Sequence, residues 1–294
     1  MNNENKHQSA GQNEDRRTGE KPLVSIITPV YNGVKYLEEC IQSIVNQDHP
    51  CIEQIIIDGG STDGTLDLIL EYQKKYPAII TYISEPDSGV GDALNKGLRM
   101  VNGQIIGWLN ADDRYEPDTF QTVLSFFKEN PDSFFVFGNC DLIDNNGEVI
   151  GRQKTKDFNL KEIINEANYI PCPSAFYRRE VIETVGDFEP LIGSDRDYWI
   201  RVGMTFPIHR IEEVLSSFRI HADSATTGSS NKIRMKHAQV DCITTRKYGG
   251  SIFSKYCRDY YRLLTTEKLR PILGFSYPLI NRILRNIKDK PDGL

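Results

Sequence analysis

Gln104-Ile105-Ile106-Gly107-Trp108-Leu109-Asn110-Ala111-Asp112-Asp113 decides how the rest of this chain is read. Ile105, Ile106, Trp108 and Leu109 make a short apolar run that suits a strand covered on both faces, the habit of parallel sheets flanked by helices. The run ends on two adjacent carboxylates. Ligands of open α/β sheets collect at the carboxyl ends of the strands, and carboxylates placed there can hold a divalent cation against a diphosphate. Asp is also a favoured turn residue, so Ala111-Asp112-Asp113 taken alone reads equally as a polar turn.

Upstream of that stretch, strand and helix alternate. Strands are predicted over residues 24–28, 54–57, 79–83 and 104–109. Between them Leu37, Cys40, Ile41, Ile44 and Val45 recur at helical spacing, Leu66, Ile69 and Leu70 mark a second helix, and residues 93–101 a third. Repeated βαβ units imply parallel pairing. Downstream, a helix over 118–129 follows Pro117, a strand covers 134–137, and Asn146-Gly147 turns the chain into 148–150. Residues 151–228 mix short helices with strands such as 214–220, and 231–288 read mostly as basic amphipathic helix. No internal repeat is visible.

The 294 residues carry a formal net charge of −6 that is unevenly spread. From Ser229 onward there are fourteen Lys and Arg against five Asp and Glu, leaving an acidic body of −15 over residues 1–228. An acidic body argues against nucleic-acid binding, whereas a basic, partly apolar tail can meet anionic lipid. In that tail Lys232, Arg234, Lys236, Arg246 and Lys247 alternate with Ile233, Met235, Ile243 and Tyr248. A helix packed on the body with a solvated charged face has the same pattern. The six cysteines are scattered without a Cys-x-x-Cys pair, which fits a reduced, cytoplasmic setting and no zinc or redox motif. Residues 1–22 are polar and read as a disordered tail without the apolar segment of a signal peptide. No apolar stretch is long enough to span a bilayer, since residues 271–280 are interrupted by Gly274, Ser276 and Pro278.

Three strand ends carry chemistry. At Thr28-Pro29-Val30-Tyr31-Asn32 the strand breaks at Pro29 and presents Tyr31, whose ring can stack on a nucleobase or simply pack on a loop. At Asp58-Gly59-Gly60-Ser61-Thr62-Asp63-Gly64 two glycines let backbone approach a ligand, and Asp58 can accept the imide N–H of uracil or close an Asx turn. Asp63-Gly64 reads as a helix entry with Ser61 or Asp63 as cap. The third end is Asp112-Asp113. Neither Gly-x-Gly-x-x-Gly nor Gly-Lys-Ser/Thr occurs, so the phosphate-binding glycines of dinucleotide folds and P-loops are missing.

Residues 24–32, 58–64, Asp92-Ala93-Leu94-Asn95-Lys96-Gly97 and 107–113 resemble, in order and spacing, the motifs of family 2 glycosyltransferases with the GT-A fold. The resemblance covers residues 22–225. It implies a nucleotide-diphospho-sugar transferase fold with a mostly parallel central sheet flanked by helices. Its nucleotide-binding half would span about 23–115 and its acceptor half about 116–228, with a helical extension over 229–294. It implies that Thr28, Pro29, Tyr31 and Asp58 line the nucleoside pocket with Asp92 near it. Asp113 would coordinate Mg²⁺ or Mn²⁺, and Asp112 would hold the ribose or share the ion. The family's commoner double-acidic form at the second strand end is replaced here by Asp58-Gly59, which leaves the base read less defined.

Gly193-Ser194-Asp195-Arg196-Asp197-Tyr198-Trp199-Ile200-Arg201 resembles the segment in which an acidic residue heads a helix near the sugar, and Asp195 matches the catalytic base. Ser194 or Asp195 would equally make a helix N-cap, and Asp197 reads as a partner of Arg201 at i+4. Arg219-Ile220-His221 opens the polar run 222–230, similar to the family's mobile loop, and His221 can bind the diphosphate or the metal. Ile170-Pro171-Cys172-Pro173-Ser174-Ala175-Phe176 resembles the acceptor side. The resemblance thus implies an inverting enzyme moving sugar from a nucleoside-diphosphate donor, a UDP-sugar by preference, to a polysaccharide or lipid-linked acceptor. The basic tail would allow peripheral contact with the cytoplasmic face of a membrane. A catalytically silent nucleotide-sugar binder would have lost the metal pair or the base, and Asp113 and Asp195 are both present. A nucleotidyltransferase would need a Gly- and Lys- or Arg-rich loop after the first strand, where this chain has Pro29-Val30-Tyr31-Asn32-Gly33.

Overall fold

The computed structural model describes residues 21–189, 194–221, 224 and 231–273. The predicted tail before residue 21, most of the run 222–230 and the predicted helix beyond 273 lie outside them. The first half alternates as its sequence implies: β1 (Val24–Val30), α1 (Val34–Val45), β2 (Ile52–Asp58), α2 (Thr65–Lys75), β3 (Ile80–Ser84), α3 (Val90–Leu98) and β4 (Ile105–Trp108). These four strands pair in parallel, with β1 between β2 and β4. Val30, Asp58 and Ser84 lie side by side at the carboxyl end. β1 runs through the expected break at Pro29 and ends at Val30, two residues past the predicted strand end. Its pairing with β4 stops at Ile27, so the proline sits where the strand has only one neighbour and its missing N–H costs little.

α1 buries Leu37, Cys40, Ile41 and Ile44 against the sheet, the spacing that predicted it. α2 buries Thr65, Ile69 and Tyr72 and leaves Leu70 exposed, so its inner face is rotated from the one that Leu66 and Leu70 suggested. α3 starts three residues earlier than expected, at Val90.

The second half is β5 (Arg114–Tyr115), α4 (Thr119–Glu129), β6 (Phe135–Ile143), β7 (Val149–Gln153), α5 (Leu160–Asn165), a single 3-10 turn at Cys172–Ser174, β8 (Ala175–Arg178), α6 (Arg179–Val185), α7 (Ser194–Thr205), β9 (Ile208–Arg219), α8 (Asn231–Lys247) and α9 (Lys255–Leu273). Among the described residues all nine strands join one sheet in the order β3-β2-β1-β4-β8-β6-β9-β5, with β7 added on β6. β8 runs antiparallel to both β4 and β6, and β5 antiparallel to β9, so the sheet changes from parallel to mixed beyond β4. β5 has two residues, too few for any periodic signal, yet it fastens the chain just after Asp113 to β9.

The core under the second half is aromatic. Phe188 and Tyr198 stack with centroids 4.0 Å apart, and Phe135 meets Trp199 edge-on at 5.0 Å. The predicted long C-terminal helix is two helices, divided at a turn where Gly249 has φ +73°. Both pack on the body. Arg196 of α7, 2% exposed, spends all five of its N–H donors there. Nε reaches Ile163 O, Nη1 the backbone and side chain of Asp241, and Nη2 Ile164 O and Thr245 Oγ1. Its guanidinium also lies 3.6 Å from the Tyr256 ring centroid. No helix among the described residues is long and apolar enough to cross a membrane.

Candidate active site

Asp112 and Asp113 leave β4 in one tight turn but face opposite ways. Asp113 is 1% exposed, and both its oxygens are engaged: Oδ1 accepts from Arg219 N at 3.0 Å and Oδ2 from Asn110 Nδ2 at 3.0 Å. Burial, and then the neighbouring Asp112 charge, push its pKa well above the usual carboxylate value. Asp112 is half-buried, and its Oδ2 lies 2.9 Å from His221 Nε2. The outward-facing member of the pair is therefore Asp112, not Asp113, and His221 stands beside it.

Arg219 explains the arrangement. It is 1% exposed, donates from Nε to Asp112 O at 2.9 Å and from Nη1 to Asp144 O at 2.8 Å, and pairs through Nη2 with Glu39 of α1. The Tyr36 ring lies 4.6 Å from its guanidinium and 5.0 Å from the His221 ring. One buried cation thus ties the acidic turn, the β6–β7 hairpin and α1 together. Glu39, Asn110 and Arg219 were not foreseen as site residues. The only sequence signal was an Arg at a predicted strand end, which is commonplace.

Among the described residues no group of three or more His, Cys, Asp or Glu side chains forms a ready metal cage. The partly exposed carboxylate of Asp112 and the more buried imidazole of His221 nonetheless fit a hard divalent cation that takes its remaining oxygens from a diphosphate, as Mg²⁺ commonly does in phosphate sites.

At the end of β2, Asp58 is fully buried and closes its turn. Oδ1 accepts from Ser61 N at 3.1 Å and Ser61 Oγ at 2.5 Å, and Oδ2 from Ser84 Oγ at 2.6 Å. Gly60 sits at φ +83°, which an L side chain would resist. The N-cap of α2 is Gly64 rather than Ser61 or Asp63, but Asp63, one residue before it, accepts from Thr65 N and Val34 N at the helix entry. Thr28 and Pro29 lie buried within β1, Thr28 Oγ1 accepting from Gln54 Nε2 at 3.0 Å. Tyr31 stands 66% exposed at the tip. Asp92 accepts from Ser88 N at 3.1 Å in the first turn of α3, and that bond in the first place holds its pKa below the ordinary value.

Across the sheet, Asp195 lies in the first turn of α7 and is half-buried. Its Oδ2 accepts from Asn168 Nδ2 at 2.8 Å and from the Cys172 thiol at 3.3 Å. Burial, and then the neighbouring Asp195 charge, push the Cys172 thiol well above its ordinary pKa. The 170–176 segment bridges β4 and α7, since Phe176 pairs with Gly107 of β4 while Cys172 donates to Asp195. Asp197 faces the other way. It pairs with Arg201 at 2.8 Å, the expected i+4 partner, and also accepts from Lys247 Nζ and Tyr248 Oη. Although burial alone would raise it, these bonds hold its pKa below the usual range.

A parallel half-sheet with acidic strand ends, joined to a mixed half that carries an acidic helix start, is the layout of a GT-A transferase. Residues 25–186 match the family described as Glycosyl transferase family 2, and the chain belongs to that family. An uncharacterised glycosyltransferase of Nostoc sp. is 29% identical over 81% of this chain and 75% of its own length. TuaG of Bacillus subtilis, described as a putative teichuronic acid biosynthesis glycosyltransferase, is 39% identical over 41% of this chain and 48% of its own length. Among solved structures, residues 1–349 of Staphylococcus aureus TarS in complex with UDP-GlcNAc superpose with a TM-score of 0.60 at 18% identity, covering 86% of this chain and 73% of that TarS fragment. That likeness shows the fold.

Proposed function

We propose that this protein is an inverting, metal-dependent glycosyltransferase that moves sugar from a UDP-sugar to a hydroxyl of a growing polysaccharide or lipid-linked glycan. What carries the reading is the segment that links two acidic groups: Phe176 pairs with β4, the strand that leads into the turn of Asp112 and His221, and Cys172 donates to the Asp195 carboxylate. Tyr31 offers its exposed ring to the base, while Thr28, Pro29 and Asp58 build the floor beneath it and Asp92 braces the adjoining loop. Asp112 and His221 would hold Mg²⁺ or Mn²⁺, with Asp113 fixing the turn that presents them. A cation there offsets the charge that grows on the departing diphosphate.

Asp195 is assigned to take the proton of the acceptor hydroxyl as it attacks the anomeric carbon from the face opposite the diphosphate. Asn168 and Cys172 both donate to Oδ2, which leaves Oδ1 for that proton. The UDP-GlcNAc held by TarS supports a uridine nucleotide, and the description of TuaG supports a surface polysaccharide as product class. Peripheral membrane contact belongs to the same proposal, since Ile252 and Phe253 stand exposed at the α8–α9 turn beside exposed Lys255 and Arg258.

Thermal unfolding with UDP, GDP, CDP and ADP, each with and without Mn²⁺, tests the donor. A ligand of the folded state raises the melting temperature by mass action. UDP with Mn²⁺ should raise it most, and no shift with any nucleotide would contradict the proposal.

A further inference from the structure

Beside Asp58 the chain carries Gly59, and the space that a side chain at 59 would occupy is taken by another carboxylate. A Cβ built on Gly59 would lie 2.7 Å from Asp87 Oδ2 and 3.4 Å from Tyr31 Cδ2. Asp87 therefore reaches from the β3–α3 loop to the flank of the exposed Tyr31 ring. Asp58 offers no such face: it is 0% exposed, and its oxygens accept from Ser61 and Ser84.

Asp87 is differently placed. It is half-buried, its Oδ1 accepts from Gly89 N at 2.8 Å, and Oδ2 receives no hydrogen bond among the described residues. The loop around it is braced on several sides. Glu85 N donates to Asp58 O at 3.0 Å, Lys96 Nζ donates to Pro86 O at 3.1 Å and pairs with Glu85 at 2.8 Å, and Ser88 N donates to Asp92. Oδ2 is thus an open carboxylate oxygen on a braced loop beside an aromatic platform.

We propose that Asp87 reads the donor base, its Oδ2 accepting the imide N–H of a uracil stacked on Tyr31, and that Gly59 is the residue that leaves room for it. The proposal rests on the UDP-sugar reading above. Uracil presents a donor at N3, whereas cytosine presents a lone pair there. Opposite a carboxylate that lone pair leaves two acceptors facing each other, which is the kind of unpaired polar contact that gives strong discrimination.

Isothermal titration of UDP and CDP in the presence of Mn²⁺ tests this on the full chain, with Asp87→Asn and Gly59→Ala beside the wild type. Asp87→Asn keeps an oxygen for Gly89 N and turns the free position into an N–H donor. The wild type should prefer UDP. In Asp87→Asn the UDP affinity should fall about tenfold or more while CDP holds or gains, so that the preference collapses. Gly59→Ala should lower the preference in the same direction by displacing the carboxylate. Its contact is with the end of a flexible side chain, so the variant should fold, which thermal unfolding checks. A UDP-to-CDP ratio in Asp87→Asn unchanged from wild type, with UDP still bound, would overturn the assignment of Asp87 alone. Wild-type protein that binds neither nucleotide would overturn the UDP-sugar reading and the assignment with it.

Discussion

Asp113 acts from inside the protein. An acidic pair at a strand end is legible in the sequence, but which carboxylate turns inward is not. That choice is made by Arg219, whose N–H caps Asp113 and whose guanidinium holds the carbonyl of Asp112 from far along the chain. The same holds for Asp58, whose place at a strand end was legible while its partners Ser61 and Ser84 became apparent only in the fold. Different consequences follow for the two members of the pair. Asp113→Asn places an amide N–H against the Asn110 amide and should lower stability by about 1–3 kcal/mol, the cost of an unsatisfied buried polar group. Asp112→Asn, at the half-exposed position, should leave the melting temperature nearly unchanged and remove the response of turnover to Mn²⁺. Melting curves and metal titrations of both variants check this, and the opposite pattern would return the metal to Asp113.

At the scale of elements, α7 carries the proposed base and framework contacts on successive residues. Asp195 faces the bridge at Cys172, Arg196 anchors α8 and α9, and Asp197 binds Arg201, Lys247 and Tyr248. The sequence announced the i+4 partner because helical spacing is local. It did not announce Lys247 and Tyr248, which arrive from a separate helix. Asp197 has a folded pKa below its unfolded value, so its contribution is present above the unfolded pKa of about 4 and is lost as pH falls through the lower folded value. Asp197→Asn should destabilise the neutral-pH protein by about 3 kcal/mol, the scale of a broken buried pair, with Lys247 contributing least because it is half exposed. Below about pH 4 the difference from wild type should shrink. A penalty equal at pH 3 and pH 7 would show that packing, not charge, is what Asp197 supplies.

For the whole molecule, the parallel half was readable from alternation and the mixed half was not. β8 joins β4 from a segment that follows two helices and a 3-10 turn, and the two-residue β5 is defined only by its partner β9. The basic C-terminal segment was ambiguous between a membrane helix and a packed one. The described part uses much of its inner surface on the body through Arg196 and Asp197, while Ile252 and Phe253 stay outside. Removing the whole segment would therefore disturb α7 as well as any membrane contact, and the selective variant is Ile252→Ser with Phe253→Ser. Wild type should sediment with anionic liposomes at low salt and the double variant should remain in the supernatant. Equal behaviour of the two would place the contact elsewhere or exclude it. The central claim is that Asp195 moves the acceptor proton in a site that holds UDP-sugar independently of it. Its most direct test measures sugar transfer and UDP affinity on the same preparations of wild type and Asp195→Asn. The expected result is a transfer rate lower by about two to four orders of magnitude with UDP affinity preserved. Undiminished transfer, or loss of UDP binding along with it, would contradict the claim.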